Sequence, residues 1–174
     1  MKKTRFIILS RREAEGLEDK NLPEGAIFIS VYGLDEKPAD LKVTCPVLYL
    51  QFDDIEQSEE HCHNNVHRAE LIKEKLKPFN KDMARDIFDF VNAHKPSTII
   101  VHCHAGVCRS AAIAAALSKI MYDEDDAIFK TKVPNMLVYT TMLEYYYCDM
   151  YELSANQFMQ QQAYLNHQSH CRYK

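Results

Sequence analysis

Residues 102–110 read His-Cys-His-Ala-Gly-Val-Cys-Arg-Ser. A cysteine opens this stretch, small residues fill its middle and an arginine closes it. Ala105 and Gly106 let so short a backbone curl into a nest of N–H donors aimed at an anion. The AAIAAALSKI that follows offers a helix N-terminus, with unpaired N–H groups and the positive end of a dipole. The planar fork of Arg109 can hold two oxygens of a phosphate at once. In that field the Cys103 thiol is expected to titrate well below the free value of about 8.5 and to be a thiolate at neutral pH. The chemistry these parts describe is in-line attack of a thiolate on phosphorus, giving a phosphocysteine. His104, Ala105, Gly106, Val107, Cys108 and Arg109 would bind the phosphate and stabilise its three equatorial oxygens. Ser110 can donate a hydrogen bond to the sulfur and help it leave in the second step. His102 is placed to fix the backbone around Cys103.

Such a loop needs a strand before it and a helix after it, and the chain supplies both. STIIVH (97–102) is wholly apolar in its middle, as a buried central strand is, and Ser110 to Met121 is apolar almost all round, as a buried helix is. Upstream, TRFIILS (4–10), AIFISVYG (26–33) and PVLYLQF (46–52) read as strands, the second closed by Gly33, the third with Pro46 at its edge or start. REAEGLEDK reads as a short helix or helical turn, Val66 to Leu76 as a charged helix ended by Pro78, and KDMARDIFDFVNAH as a helix capped by Asn80 and broken by Pro96. Met83, Ile87, Phe88 and Val91 form its core stripe. DEDDAIFK is expected to be helical with acids in its first turn, and NMLVYTTMLEYYYCDMY to be one last long helix. Strands alternating with helices give an α/β layered domain around a mostly parallel sheet. In such sheets ligands collect where strands end and helices begin.

Composition narrows the partners. The 174 residues are the size of one domain, 47% of them apolar, with 21 basic and 25 acidic side chains for a net charge of −4. That balance argues against nucleic acid or a membrane surface as the partner. The opening MKKTRFIIL imitates a signal peptide, but its apolar run is shorter than the roughly 7–15 residues required. The expectation is a soluble, cytoplasmic protein. Its six cysteines, at 45, 62, 103, 108, 148 and 171, form no paired CxxC units and are read as free thiols. His61, Cys62, His63 and His67 tempt a metal reading, but no second cluster completes a site, and a solvated loop is preferred. Cys108 is either a small packing residue or a redox partner for Cys103.

The motif His-Cys-x5-Arg-Ser is the signature of the cysteine-based protein tyrosine and dual-specificity phosphatases, and the chain resembles that superfamily from about Ile27 to Tyr147. The likeness runs throughout NKDMARDIFDFVNAHKPSTIIVHCHAGVCRSAAIAAAL and is nearest to the compact dual-specificity-like enzymes of bacteria and viruses. It implies a single-domain protein-tyrosine-phosphatase-like fold. The catalytic domain would span 1–155, with 156–174 a polar, Gln-rich tail. The implied substrate is a phosphorylated protein or peptide, phosphotyrosine first, with phosphoserine and phosphothreonine as the wider alternative. A phosphoinositide, a nucleotide or an RNA 5′-phosphate would suit the same chemistry, but those relatives tend to place lysines in the loop and HAGVC has none. A non-catalytic phosphopeptide-binding pseudophosphatase is the remaining alternative; Cys103, Arg109 and Ser110 stand against it. No metal or organic cofactor is implied, because the loop and Arg109 supply the charge a metal would.

The family draws its general acid from an aspartate on a loop after an upstream strand. Here that loop offers Asp54 as the first choice and Asp53 as a structural or water-positioning partner. Side by side, one carboxylate can raise the pKa of the other. Once the phosphoenzyme has formed, the same aspartate would act as base on water. About fifty residues separate this pair from Cys103, more than in the smallest family members, and the extra segment 56–78 reads as a lid or a surface helix. Asn135 resembles the asparagine with which the family braces its phosphate loop and is equally placed to cap a helix. His104 would either lend the rim a mild basicity or point away.

Overall fold

The computed structural model describes residues 3–55 and 75–150. Four strands form one sheet in the order β1-β4-β2-β3, every neighbour parallel: β1 Arg5–Ser10, β2 Ala26–Tyr32, β3 Val47–Gln51 and β4 Thr98–Cys103. Five α-helices complete the described part, α1 Arg11–Glu15, α2 Lys81–His94, α3 Arg109–Tyr122, α4 Asp126–Thr131 and α5 Met136–Glu144. The α/β class and the parallel sheet are those predicted.

The two faces of the sheet differ. Alternation on β2 sends Ile27, Ile29 and Val31 to one side and Ala26 and Phe28 to the other. On β4 it splits Ile99, Val101 and Cys103 from Ile100. The first side holds the main core, packed by Met83, Ile87 and Val91 of α2, by the alanine-rich α3 and by Val138, Met142 and Leu143 of α5. Each isoleucine buried there contributes about 1.5–3 kcal/mol by leaving water. Alanines at 111, 112, 114, 115 and 116 are all fully buried. They keep α3 close to the sheet at no cost in helix propensity. The second side is thinner, covered by Ala14 of α1 and by Leu17, Leu22, Leu41 and Val43 of the connections.

Local signals explain most element ends. Ser10 caps α1 in a reciprocal box with Glu13. Asn80 accepts from the Met83 N–H at 3.0 Å to start α2, and Lys95, left-handed at φ 43°, ends it before Pro96. Four expectations change. The chain after α1 turns at Gly16 into a separate 3-10 turn, Asp19–Asn21. Each strand differs by one residue at one or both ends: β1 starts at Arg5 rather than residue 4, β2 stops at Tyr32 rather than 33, β3 covers Val47–Gln51 rather than 46–52, and β4 covers Thr98–Cys103 rather than 97–102. Asp123 takes a left-handed φ of 55° to close α3, which delays α4 to Asp126 and leaves most of the acids outside its first turn. The last helix is α-helical only to Glu144, and Tyr145–Met150 continue it as π-helix.

The expected helix 66–76 falls outside the described residues up to 74, and Lys75 and Leu76 are not helical. The cluster His61, Cys62, His63 and His67, the 56–74 part of the extra segment and the tail 156–174 also lie outside them. Among the described residues no helix is long and apolar enough to cross a membrane, and Cys45, Cys103, Cys108 and Cys148 are free thiols.

Candidate active site

All four strands run the same way, so their carboxyl ends line one edge of the sheet, and the loops leaving that edge build the site. Cys103 ends the central strand β4, with Ser10, the last residue of β1, as its register partner. The loop 104–108 then turns straight into α3. Cys108 sits at the N-cap of α3 and makes no side-chain cap, and the Ser110 N–H of that first turn goes to the Cys103 sulfur instead.

Gly106 makes the turn possible. Its φ is +71°, and a Cβ there would lie 2.6 Å from the Leu9 carbonyl carbon and the Ser10 nitrogen. Only glycine fits so close to the β1–α1 junction. Arg11 fixes the same junction from the other side. Its N–H donates to the His104 carbonyl at 3.1 Å, and its guanidinium reaches the carbonyls of Lys37 and Pro38 at 2.8 and 3.2 Å.

Cys103 is 2% exposed at the floor of the loop. Burial pushes its thiol pKa up, but the Ser110 hydroxyl and the N–H groups of Ser110, Gly106 and Val107 donate to the sulfur. Together they hold the thiol below its usual value. The Ser110 oxygen lies 3.1 Å from Sγ. His102 is buried behind them. Its Nε2 meets the Ser30 hydroxyl on β2 at 2.7 Å, its ring packs edge-on against Phe28, and its Nδ1 has no hydrogen-bond partner among the described residues. Burial lowers its pKa, against a smaller opposing pull from the Cys103 backbone, so the ring stays neutral.

Arg109 is 7% exposed. One guanidinium N–H donates to the Phe52 carbonyl, just past β3, at 2.9 Å. Its Nε is buried and makes no hydrogen bond among the described residues; Oδ2 of Asp54 is 3.9 Å away. A buried guanidinium N–H left open costs free energy unless an acceptor arrives.

The two aspartates separate cleanly. Asp53 is occupied by backbone, its carboxylate accepting from the N–H of Leu34 at 3.0 Å and of Lys77 at 2.8 Å. Asp54 faces the pocket. Its Oδ1 accepts from Asn135 Nδ2 at 2.8 Å, its Oδ2 is the oxygen nearest Arg109 Nε, and its side chain is 40% exposed. Cys108 joins it. Burial raises the Cys108 thiol, the charges of Asp54 and Cys103 raise it further, and the protonated thiol hydrogen-bonds Asp54.

Asn135 touches both loops, through different groups. Its side chain braces the acid loop, donating to Asp54 and to the Ile55 carbonyl at 3.0 Å, while its Oδ1 caps α5 by accepting from Val138 N–H at 3.1 Å. Contact with the phosphate loop comes from its backbone, whose N–H meets the Cys108 carbonyl at 3.2 Å.

Glu36, Gly33 and Lys132 complete the site, and the sequence reading assigned none of them a part in it. Glu36 Oε2 accepts from Gly33 N–H and its Oε1 meets His104 Nδ1, both at 2.7 Å. So His104, exposed at the rim, is held sideways by a carboxylate. Burial raises the Glu36 pKa, but those two bonds and the charge of Arg109 outweigh it and keep Glu36 ionised. Gly33 leaves the room: a Cβ there would stand 3.1 Å from Asp53 Oδ1 and 3.8 Å from the Arg109 guanidinium. A strand-closing glycine was visible in the sequence, but not what converges on it.

No family model and no curated relative matches the chain at the sequence level. Among solved structures it is similar to a human tyrosine phosphatase-like serine/threonine/tyrosine-interacting protein, with 17% identity and a TM-score of 0.48, covering 83% of this chain and 93% of that one. It is similar to Tk-PTP in its active form at 11% identity and a TM-score of 0.45, over 83% of this chain and 92% of that one. It is similar as well to OH1 from the Orf virus, a tyrosine phosphatase of triple substrate specificity, at 14% identity and a TM-score of 0.42, over 85% and 86% of the two chains.

Proposed function

We propose that the protein is a cysteine-dependent phosphomonoesterase that hydrolyses phosphotyrosine in proteins or peptides through a phosphocysteine. The observation that carries this reading is one short loop with a buried Arg109 Nε at one end, without a hydrogen-bond partner among the described residues, and at the other a buried Cys103 thiol whose pKa is held down by hydroxyl and N–H donors. Those donors all favour an anion, first the thiolate and then a phosphate resting over it.

The steps follow from the placement. The Cys103 thiolate attacks phosphorus while Arg109 and the loop N–H groups hold the equatorial oxygens. Asp54 gives its proton to the departing oxygen. In the second half Asp54, now a carboxylate, takes a proton from water. That water displaces the Cys103 sulfur, which Ser110 steadies as it regains negative charge. Protein substrates are favoured over polyanionic ones because the loop HAGVC carries no lysine and the carboxylates of Glu36 and Asp54 already lie in the field of Arg109. A second or third phosphate would meet repulsion there.

The test is hydrolysis of p-nitrophenyl phosphate and of phosphotyrosine peptides in EDTA and reductant. Wild type is expected to turn over and to be blocked by vanadate, and Cys103→Ser to be inactive. Wild type that binds phosphate or a phosphopeptide without turning over would replace the enzyme reading with a binding one. Loss of turnover in EDTA would remove the metal-free mechanism.

A further inference from the structure

The segment between α4 and α5 runs along the outside of the phosphate loop. Lys132 Nζ donates to the Gly106 carbonyl at 2.8 Å, Val133 N–H to the Val107 carbonyl at 3.3 Å and Asn135 N–H to the Cys108 carbonyl at 3.2 Å. Three successive carbonyls are thereby held from outside the loop, the last of them shared with the Ala112 N–H of α3 at 2.9 Å. A trans peptide points its C=O and the next residue's N–H in opposite directions, so three outward carbonyls leave three inward N–H groups.

The first of these bonds is unlike the others because its donor is charged. The Gly106 carbonyl belongs to the same peptide as the Val107 N–H, and that N–H is one of the donors to the Cys103 sulfur. An ammonium on the oxygen draws electron density through the peptide and makes its N–H a better donor, because hydrogen bonds in a chain polarise one another. Lys132 is held to this task at its base, where its own N–H closes α4 on the Ile128 carbonyl at 2.8 Å. The charged and titratable groups described around the assembly are Glu13, which feels Lys132, His104 with Glu36 at the start of the loop, and Cys108, Arg109 and Asp54 at its end.

We propose that Lys132 is a positioning residue, whose ammonium on the Gly106 carbonyl aims and polarises the Gly106–Val107 peptide toward the Cys103 sulfur and toward any phosphate above it. The proposal rests on the phosphatase reading for its purpose but not for its test.

That test is alkylation of Cys103 by iodoacetamide, followed by peptide mass spectrometry across the pH range, in wild type, Lys132→Met, Lys132→Gln and Lys132→Arg. Circular dichroism and melting establish that each is folded. Lys132→Met is expected to shift the alkylation curve to higher pH by half a unit or more. On the acidic limb that is a loss of about threefold or more in rate. Its plateau at high pH should stay unchanged, because there the thiol is ionised in every variant. Lys132→Arg should stay near wild type, and Lys132→Gln, which keeps a neutral donor, should fall between. A folded Lys132→Met with the wild-type curve overturns the proposal. If Lys132→Met does not fold, Lys132→Gln decides it: a wild-type curve in that variant overturns the role of the charge. Alkylation reads the thiol whether or not the protein hydrolyses an ester. Failure of the phosphatase reading would show separately, as an inactive wild type with its alkylation curve intact.

Discussion

The Ser110 oxygen stands 3.1 Å from the Cys103 sulfur, with both residues buried. A hydroxyl so placed donates to whatever negative charge the sulfur carries, so it acts twice, on the resting thiolate and on the sulfur leaving phosphorus. Hydrogen bonds to charged groups contribute about 1.5–3 kcal/mol. Ser110→Ala is therefore expected to lower kcat by about 10–100-fold. The thiol pKa should rise, moving the acidic limb of kcat/KM to higher pH. Rapid-mixing kinetics with p-nitrophenyl phosphate should show a burst, because dephosphorylation becomes the slow step. A variant that loses rate with no burst and no shift would mean the hydroxyl is only packing.

Asp53 and Asp54 are neighbours with different occupations, and their variants should fail differently. Asp54→Asn removes the proton donor and is expected to cost about 10²-fold or more in kcat on phosphotyrosine. The loss should be smaller on esters with a more acidic leaving group, which need less protonation. Asp53→Ala strands the N–H groups of Leu34 and Lys77. It should cost roughly 1 kcal/mol of stability, or about 2–4 °C in Tm. Leaving-group dependence, measured as the slope of log kcat against leaving-group pKa, separates the two. Equal slopes in Asp54→Asn and wild type would take the acid role away from Asp54.

Gly106 and Gly16 make a matched pair for a backbone test. Gly106 has a positive φ and no room for a Cβ, whereas at Gly16, φ −87°, a Cβ would meet the Arg12 carbonyl oxygen at 3.4 Å, an ordinary contact. Gly106→Ala is expected to abolish phosphate binding and to cost ~1–3 kcal/mol from the dihedral alone. The clash with Leu9 and Ser10 adds to that. Gly16→Ala should change Tm and activity little. Thermal melts with and without vanadate read both effects: vanadate should stabilise Gly16→Ala and leave Gly106→Ala unmoved.

How much of this was readable in advance depended on where each partner lay in the chain. The apolar middle of β4, the glycine turn and the alanine-rich α3 are consecutive, so their pattern announced the strand–loop–helix. Parallel pairing of β1, β2 and β4 fitted the helical segments read between strands, whereas β2 and β3 pair in parallel across a connection, 33–46, that holds no helix. Asn135 shows the limit. Its capping of α5 was legible because Val138 is three residues away, but its side-chain partner Asp54 lies 81 residues upstream and left no local trace. Glu36 and Lys132 were invisible for a related reason, since each bonds a backbone group as well as or instead of a side chain. A backbone partner has no residue type to read. The split of NMLVYTTMLEYYYCDMY into α- and π-helix was hidden because both forms keep the same residues apolar.

His102 sets the last prediction, on the pH dependence of stability. Burial against Phe28 and Ser30 holds its folded pKa below the roughly 6.5 it has when unfolded. The charges that face it are Arg11, which lowers it, and Glu15 and Glu36, which raise it. Between the two pKa values the unfolded chain binds the extra proton, so stability rises with pH there. It is fully present above about pH 6.5 and is lost as pH falls from there toward the folded value. The Cys103 thiol also has a lowered pKa, and its contribution is likewise lost as pH falls through the folded value. Cys103→Ser removes that second source. In this background Tm is expected to drop between about pH 7 and pH 5, and adding His102→Gln should flatten the drop while lowering Tm overall through the changed Ser30 contact. The lowered carboxylates Glu13, Glu15 and Glu36 act below that window, as pH falls through the range where they protonate. A slope equally steep in both proteins would show that some group other than His102 takes up the proton.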